Sequence, residues 1–126
     1  MKRSQFRART MKYVYQHVLL NKPFLTLLSE EGHLMKNDES PYIINTLRDI
    51  EAHEDAYISS INTHLNQWSF ERLSYVEQAI LLVAWSELER KEDDKAVIID
   101  EAIKLAKTYS DESSYPYINA VLDKHD

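Results

Sequence analysis

The scarcity of glycine is the strongest limit on the folds open to this chain, because its 126 residues include one glycine, Gly32, and three prolines. Tight turns and hairpins depend heavily on these two residue types, so the composition disfavours a protein built of many hairpins. A single glycine also excludes the glycine-rich loops that bind nucleotide phosphates. There is no cysteine, which excludes disulfides, thiolate nucleophiles and cysteine-bound zinc. We therefore predict an all-α chain that forms a single domain over residues 1–126.

Apolar residues recur with the period of an α-helix along most of the chain, and they predict about seven helices. The first closes at Asn21-Lys22-Pro23, because proline disfavours an α conformation in the residue before it. Gly32 ends the second, and a polar loop over residues 33–39 follows. Ser40-Pro41 opens a third region, whose apolar stripe predicts one long helix or two helices with a bend near His53.

The second half of the chain has clearer helix boundaries. A short turn of helix capped by Ser69 precedes a Ser74-x-x-Glu77 capping box, which opens the next helix. That helix is apolar nearly all round, as is typical of a helix in the middle of a bundle. A further helix carries Asp100 and Glu101 in its first turn, where carboxylates complement the helix dipole.

The net charge of −6 conceals an asymmetry along the chain. Residues 1–29 have six basic side chains and no acid, whereas the other 97 residues have 9 basic and 21 acidic side chains, a charge of −12. A polyanion is repelled by most of such a protein and can approach only at the amino end. The basic side chains of that segment are Lys2, Arg3, Arg7, Arg9, Lys12 and Lys22.

Two groups of side chains have the chemistry of an RNA contact. Arg3 and Arg7 lie four residues apart on one helix face, and guanidinium groups bind phosphates bidentately. The alternative is a solvated helix flank, against which the acid-free segment argues, since solubilising surfaces usually mix the two signs. Tyr115 and Tyr117 flank Pro116 at the start of the last helix, where an exposed ring can stack on a base. The alternative there is a half-buried tyrosine with its hydroxyl in water.

No arrangement of residues calls for catalysis. The five histidines are scattered, and His53 lacks the second histidine of a zinc-binding H-E-x-x-H helix. Asp49 and His53 stand four apart as the best metal candidate, but such pairs are common on solvated helix faces. We predict no enzyme activity, no cofactor and no metal. With no apolar run that spans a membrane and no signal-peptide pattern at residues 1–20, we expect a cytoplasmic protein without a membrane partner.

Several segments share their residues and spacing with one known family. They are Trp68-Ser69-Phe70-Glu71-Arg72-Leu73, Glu77-x-x-Ile80-Leu81-x-x-Ala84-x-x-Glu87-Leu88, Val97-Ile98-Ile99-Asp100-Glu101-Ala102-Ile103-x-Leu105-Ala106-Lys107-x-Tyr109-Ser110 and Tyr117-Ile118-Asn119-Ala120-Val121-Leu122-Asp123. Together they resemble the NusB family of bacterial transcription antitermination factors. The resemblance is close over residues 68–124 and recognisable from Arg3 to Gln16, where Val14-Tyr15 stands for a Leu-Tyr or Leu-Phe pair. Residues 21–64 match only in helical character.

The resemblance implies an all-α bundle of two packed three-helix subdomains and a non-enzymatic, RNA-binding role. Members bind the single-stranded boxA element of nascent ribosomal RNA transcripts jointly with the small-subunit ribosomal protein NusE. With other Nus factors they help RNA polymerase to resist premature termination. The RNA contacts implied by the resemblance are Lys2, Arg3, Arg7 and Tyr117, to which the acid-free segment adds Arg9. The partner contacts so implied are Tyr15 and Glu77.

The chain departs from the family at four positions, where Asp94, Asp100, Pro116 and Ala120 replace Pro, Asn, a basic residue and Gly. The lost cation at position 116 is expected to weaken RNA affinity. One alternative is therefore a helical protein-interaction adaptor with weak or no specific RNA binding. Another is a regulatory domain that precedes an RNA methyltransferase. A homodimer through the apolar residues Leu81, Leu82 and Trp85 also remains open.

Overall fold

The computed structural model of the protein describes residues 2–30, 40–111 and 113–126. These ranges contain six α-helices, one 3-10 turn and no β-strand, so the all-α prediction is confirmed with six helices in place of about seven. Gly32 and the loop predicted over residues 33–39 lie outside the described residues. The elements are α1 (Arg3–Leu20), α2 (Phe24–Glu30), α3 (Pro41–Asn62), the 3-10 turn (Phe70–Arg72), α4 (Tyr75–Arg90), α5 (Lys95–Tyr109) and α6 (Tyr115–Asp123).

The helix boundaries in the first half follow local sequence. Asn21 closes α1 in a left-handed conformation with φ of 55°, two residues before Pro23. The Ser40 hydroxyl accepts a hydrogen bond of 3.1 Å from the backbone N–H of Tyr42, which caps α3 in front of Pro41. α3 then continues for 22 residues as one helix, so the alternative of two helices with a bend near His53 is wrong.

Two details of the second half differ from expectation. Ser69 precedes the 3-10 turn as predicted, but its side chain makes no capping hydrogen bond. α5 begins at Lys95, so Asp100 and Glu101 lie in its second turn and the prediction for its first turn was wrong. The reason is that Ile98 is the first buried residue of α5, and the turn before it projects beyond the core without an apolar stripe.

α4 is the central helix of the molecule, as its apolar composition predicts. Every residue from Gln78 to Leu88 is buried, and α4 packs against α1, α3, α5 and α6. Leu81, Leu82 and Trp85 are between 0% and 3% exposed. A homodimer through these three residues is therefore ruled out, because they already form the core of the single chain.

The helices form two groups of three. α1 contacts α2 and α3, whereas α4, α5 and α6 contact one another. The groups meet where α4 packs on α1 and on α3. This arrangement confirms the two packed three-helix subdomains that the resemblance implies.

Candidate nucleic-acid interface

Two side-chain contacts join α1 to α5 and occur in the same order along both helices, so α1 and α5 run in the same direction. Arg7 reaches Glu101 at 3.5 Å, and nearer the end of both helices Lys12 lies over the ring of Tyr109 at 5.5 Å. α4 runs the opposite way, because a turn of four residues, 91–94, joins its end to the start of α5. The molecule therefore has a turn end, with residues 91–94 and the start of α1, and a tyrosine end, with the start of α4 and the end of α5.

Arg7 is buried and does not belong to an open surface. Its side chain is 4% exposed, and its Nε donates to both carboxylate oxygens of Glu87 at 3.0 and 2.9 Å. A second nitrogen donates to Asp93 at 2.9 Å. Burial disfavours the charge, but the hydrogen bonds and charge of Glu87 and Asp93 outweigh it and raise the pKa of Arg7 above its ordinary value.

The prediction that Arg7 shares an open phosphate-binding face with Arg3 is therefore wrong. A buried guanidinium needs carboxylate partners, and α4, α5 and the turn between them supply three around Arg7. A phosphate could reach this group only by displacing Glu87, which is itself 1% exposed. Arg7 positions α1 against α4 and α5, and it leaves the set of candidate RNA contacts.

The other predicted cations of α1 are more accessible. Lys2 is exposed, and the side chain of Arg3 is 44% exposed. One Arg3 nitrogen lies 3.6 Å from a carboxylate oxygen of Glu92 and 3.6 Å from one of Asp93. The guanidinium carbon of Arg3 lies 4.9 Å from the centre of the Tyr42 ring. The start of α1 thus presents two of the predicted cations in exposed positions, and one of them, Arg3, is partly neutralised by the protein itself.

Arg9 is half-buried on the same helix. Tyr15, the predicted partner contact on α1, is also half-buried and packs against the core. Twelve residues of α1 separate Arg3 from Tyr15, which is about 18 Å along the helix axis. The structure therefore places Arg3 and the predicted partner contact at different levels of the bundle, with Arg9 between them.

At the tyrosine end, Glu77 ties three helices together. Its carboxylate accepts a hydrogen bond of 2.7 Å from the Tyr117 hydroxyl of α6 and another of 2.7 Å from the Ser110 hydroxyl that follows α5. The same side chain closes the capping box with Ser74 at the start of α4. Burial opposes the charge of Glu77, but these hydrogen bonds prevail and lower its pKa.

Tyr117 thus combines a held hydroxyl with a half-buried ring. Burial, and then the hydrogen bond and charge of Glu77, raise the pKa of Tyr117 well above its ordinary range, so the phenol stays neutral. The structure brings the predicted RNA contact Tyr117 together with the predicted partner contact Glu77. Lys2 and Arg3 lie at the other end of the bundle.

A cavity of about 310 Å³ beside Tyr117 was missed by the sequence analysis. Trp68 is 60% exposed at its edge, and Arg72 is exposed beside it. A tryptophan between helices, outside any apolar stripe, is the signal that indicates such exposure. The lining residues are Trp68, Arg72, Leu73, Glu77, Ser113, Ser114 and Tyr117.

The metal candidate has a structural explanation. His53 Nδ1 lies 3.3 Å from an oxygen of Asp49, but the other oxygen of Asp49 accepts hydrogen bonds from Tyr57 at 2.7 Å and Ser86 at 2.6 Å. Among the described residues, no three histidine or carboxylate side chains are grouped so that they could hold a metal ion. No helix in the described ranges has both the length and the apolar character needed to cross a membrane.

Comparison with known proteins finds one family along almost the whole chain. The family model described as the NusB family matches residues 4–126. The transcription antitermination protein NusB of Lysinibacillus sphaericus is 30% identical over 125 residues, which are 98% of this chain and 96% of that protein. The corresponding protein of Clostridium kluyveri is 42% identical over 89 residues, which are 70% of this chain and 57% of that protein.

Solved structures give the same result. T. maritima NusB has 31% sequence identity and a TM-score of 0.80, with 98% of this chain and 89% of that chain covered. A crystal structure of the antitermination factors NusB and NusE in complex with dsRNA contains a chain with 25% identity and a TM-score of 0.77. That match covers 98% of this chain and 96% of the other.

Proposed function

This chain belongs to the NusB family, and on that basis we propose that it is a transcription antitermination factor that binds boxA-like RNA of nascent ribosomal RNA transcripts. It does so together with the small-subunit ribosomal protein NusE, and it acts on RNA polymerase indirectly, through other Nus factors. The role is one of binding, without catalysis, and it belongs in the bacterial cytoplasm where transcription takes place.

The observation that carries this proposal is the pair of exposed cations, Lys2 and Arg3, at the start of a segment without acids in an otherwise acidic protein. Counterion release makes such cations the main source of affinity for a nucleic acid. The match to a chain from a complex of NusB and NusE with dsRNA supports the same assignment.

Each candidate residue has a distinct role in the proposal. Lys2, Arg3 and Arg9 bind phosphates at the amino end of α1. The ring of Tyr117 stacks on a base at the tyrosine end. Tyr15 contacts the protein partner from α1. Glu77 contributes to the partner contact by fixing the shape of the surface, because its carboxylate already accepts hydrogen bonds from Tyr117, Ser110 and Ser74.

A gel-shift titration tests the proposal most directly. A boxA-like single-stranded RNA and a scrambled RNA of equal length are each titrated with the protein, with and without NusE. Preference for the boxA-like RNA that increases on addition of NusE supports the assignment. Equal binding of the two RNAs in the presence of NusE contradicts it. The Lys2→Gln variant should bind both RNAs more weakly, whereas Lys124→Gln, an exposed lysine beyond α6, serves as the matched control.

A second function, a protein-interaction adaptor with little RNA affinity, is favoured by one observation. The protein's own carboxylates neutralise Arg7 and partly neutralise Arg3, while Trp68 and Arg72 stand exposed beside a cavity. Tryptophan and arginine are enriched among the residues that dominate protein–protein binding energy. Capture of NusE that is unaffected by RNA, together with no boxA preference, favours the adaptor.

A further inference from the structure

We propose a second RNA contact at the tyrosine end, a lysine–tyrosine platform formed by Lys12, Lys107, Tyr109 and Tyr115, which binds unpaired nucleobases and their phosphates. The proposal rests on the proposed RNA-binding function. Lys107 and Tyr109 had no predicted role in RNA binding. Lys12 belongs to the acid-free basic segment, and Tyr115 belongs to the aromatic pair at the start of the last helix.

The platform consists of two separate lysine–tyrosine pairs, one between α1 and α5 and one between α5 and α6, and in each pair an ammonium group lies over a tyrosine ring. Lys12 Nζ of α1 is 5.5 Å from the centre of the Tyr109 ring at the end of α5. Lys107 Nζ of α5 is 5.0 Å from the centre of the Tyr115 ring at the start of α6. Both distances fall within the range of cation–π attraction, about 6 Å. Both lysines are exposed, Tyr109 is 41% exposed and Tyr115 is half-buried.

Unlike several other cations of this protein, Lys12 and Lys107 form no ion pair with a carboxylate of the described residues. Within the described part of the chain, no carboxylate oxygen lies within 4 Å of the Nζ of Lys12 or of Lys107. By contrast, Lys104, on the same helix as Lys107, pairs with Asp100 at 3.4 Å and with Glu101 at 3.2 Å. Among the described residues, the two platform lysines are therefore open to an anionic ligand in a way that Lys104 is not.

The combination of a ring face and an ammonium group matches a single-stranded nucleotide. A base stacks on the tyrosine and displaces the ammonium group, which then binds the adjacent phosphate. The ring faces give no advantage to a duplex, whose bases are already stacked, or to an acidic peptide, which needs the lysines alone.

The stacking half of the proposal is tested with a single-stranded 12-nucleotide RNA that contains the fluorescent base 2-aminopurine, titrated with wild-type and variant proteins. The double variant Tyr109→Leu/Tyr115→Leu, which removes two stacking rings, should bind at least about 30-fold more weakly and should lose the quenching of 2-aminopurine. The matched variant Tyr109→Phe/Tyr115→Phe keeps both rings and should bind as the wild type does. Leucine variants that bind and quench like the wild type overturn the platform.

The electrostatic half is tested by the salt dependence of the same binding. Each phosphate contact contributes about 0.7 to the slope of log K against log salt for a single strand, so Lys12→Gln/Lys107→Gln should reduce the slope by about 1.4. Lys124→Gln has no place in the platform and should leave the slope unchanged. If the slope measured for Lys12→Gln/Lys107→Gln equals that of the wild type, the platform is contradicted.

The controls separate failure of the platform from failure of the proposed function. If Lys2→Gln weakens RNA binding while all platform variants bind normally, the platform is wrong and the RNA-binding function stands. If the wild type binds no RNA with or without NusE, the function itself is wrong, and the platform with it. If the lysine variants lose RNA affinity but the leucine variants do not, the surface is a phosphate contact without stacking, and the platform as proposed is overturned.

Discussion

The ion pair between Arg7 and Glu87 connects α1 to the central helix deep inside the protein. The side chains of these residues are 4% and 2% exposed, so each charge depends on the other for its solvation. Removal of one member of such a pair leaves a buried charge unpaired, whereas removal of both members is much less costly. The difference in stability between the single and the double substitution therefore distinguishes an arginine that stabilises the fold from one that only binds RNA.

Arg7→Met should therefore lower the free energy of unfolding by about 3–5 kcal/mol, because Glu87 loses its main partner. The double variant Arg7→Met/Glu87→Met should recover most of that loss. Urea denaturation followed by circular dichroism measures both changes. If Arg7→Met is as stable as the wild-type protein but binds RNA more weakly, Arg7 is an RNA-binding residue.

Tyr117 carries two separable properties, a ring and a hydroxyl. Tyr117→Phe removes the hydrogen bond to Glu77 but keeps the ring, so RNA affinity should stay within about twofold of wild type if stacking is its role. Tyr117→Leu removes both and should weaken binding by about 1–3 kcal/mol. Fluorescence anisotropy with labelled RNA measures the two affinities. Equal losses in the two variants would indicate that the hydrogen bond to Glu77, and not stacking, is what matters.

The sequence alone could not assign these side chains to their partners. The basic spacing at Arg3 and Arg7 correctly indicated a helix, but Glu87 and Asp93 lie 80 and 86 positions from Arg7. A helical periodicity shows which residues share a face and does not identify the long-range partner that faces them. Whether an arginine is exposed or buried depends on that partner.

The Ser74 capping box starts the central helix and allows a test with a matched control. The hydroxyl of Ser74 accepts from the N–H of Glu77 at 3.2 Å, and the N–H of Ser74 donates to the carboxylate of Glu77 at 3.3 Å. Ser74→Ala should lower the free energy of unfolding by about 1 kcal/mol. Ser69→Ala, at a position whose side chain makes no capping bond, should change it by less than about 0.5 kcal/mol. Equal losses in thermal unfolding would contradict this account.

His17 links α1 to α3 in a manner that depends on pH. Its Nε2 lies 2.8 Å from a carboxylate oxygen of Glu54 and its Nδ1 lies 2.6 Å from the carbonyl oxygen of Lys22, so both nitrogens suit the protonated ring. The hydrogen bond to Glu54 dominates over the opposing effect of burial and raises the pKa of His17 above 6.5. A raised pKa in the folded state means that protonation favours folding.

The stabilisation from His17 should accordingly be complete below pH 6.5 and should disappear as the pH rises through the folded-state pKa. As the pH rises from 6.5 through the folded-state pKa of His17, the free energy of unfolding should fall less in His17→Gln than in the wild type. His53→Gln, at a histidine whose side chain is 54% exposed, should leave the decline in place. Urea denaturation at a series of pH values measures the free energy of unfolding. If it falls with pH in His17→Gln as it does in the wild type, His17 is not the source of the pH dependence.

The helices themselves were largely predictable because their signals are local. Ser40-Pro41 and the Ser74 box specify helix starts through bonds to residues two or three positions away, and the apolar run of α4 specifies its central place. The start of α5 at Lys95 was not predictable from apolar periodicity, because its first turn packs against nothing that requires an apolar residue. The two pairs of the lysine–tyrosine platform draw on three helices, and only the packing of those helices brings each lysine to its tyrosine.

The distribution of charge over the protein controls how a polyanion reaches its amino end. The 97 residues after position 29 carry a charge of −12, and two of their acids, Glu92 and Asp93, contact Arg3 directly. A phosphate that binds Arg3 must compete with these carboxylates. We therefore expect the carboxylates of Glu92 and Asp93 to lower the affinity of the amino end for RNA.

Glu92→Gln should raise RNA affinity by up to about fivefold at 0.1 M salt, because a partly exposed ion pair of this kind contributes at most about 1 kcal/mol. Asp55→Asn makes the same change in net charge on an exposed residue of α3. Asp55 lies about 20 Å along α3 from Tyr42, the ring beneath Arg3, and that distance exceeds the Debye length of about 10 Å at 0.1 M salt. Anisotropy titrations at 0.1 M salt should therefore find tighter RNA binding for Glu92→Gln and an unchanged affinity for Asp55→Asn. Equal gains would mean that the overall charge governs RNA binding and that the contact with Arg3 does not.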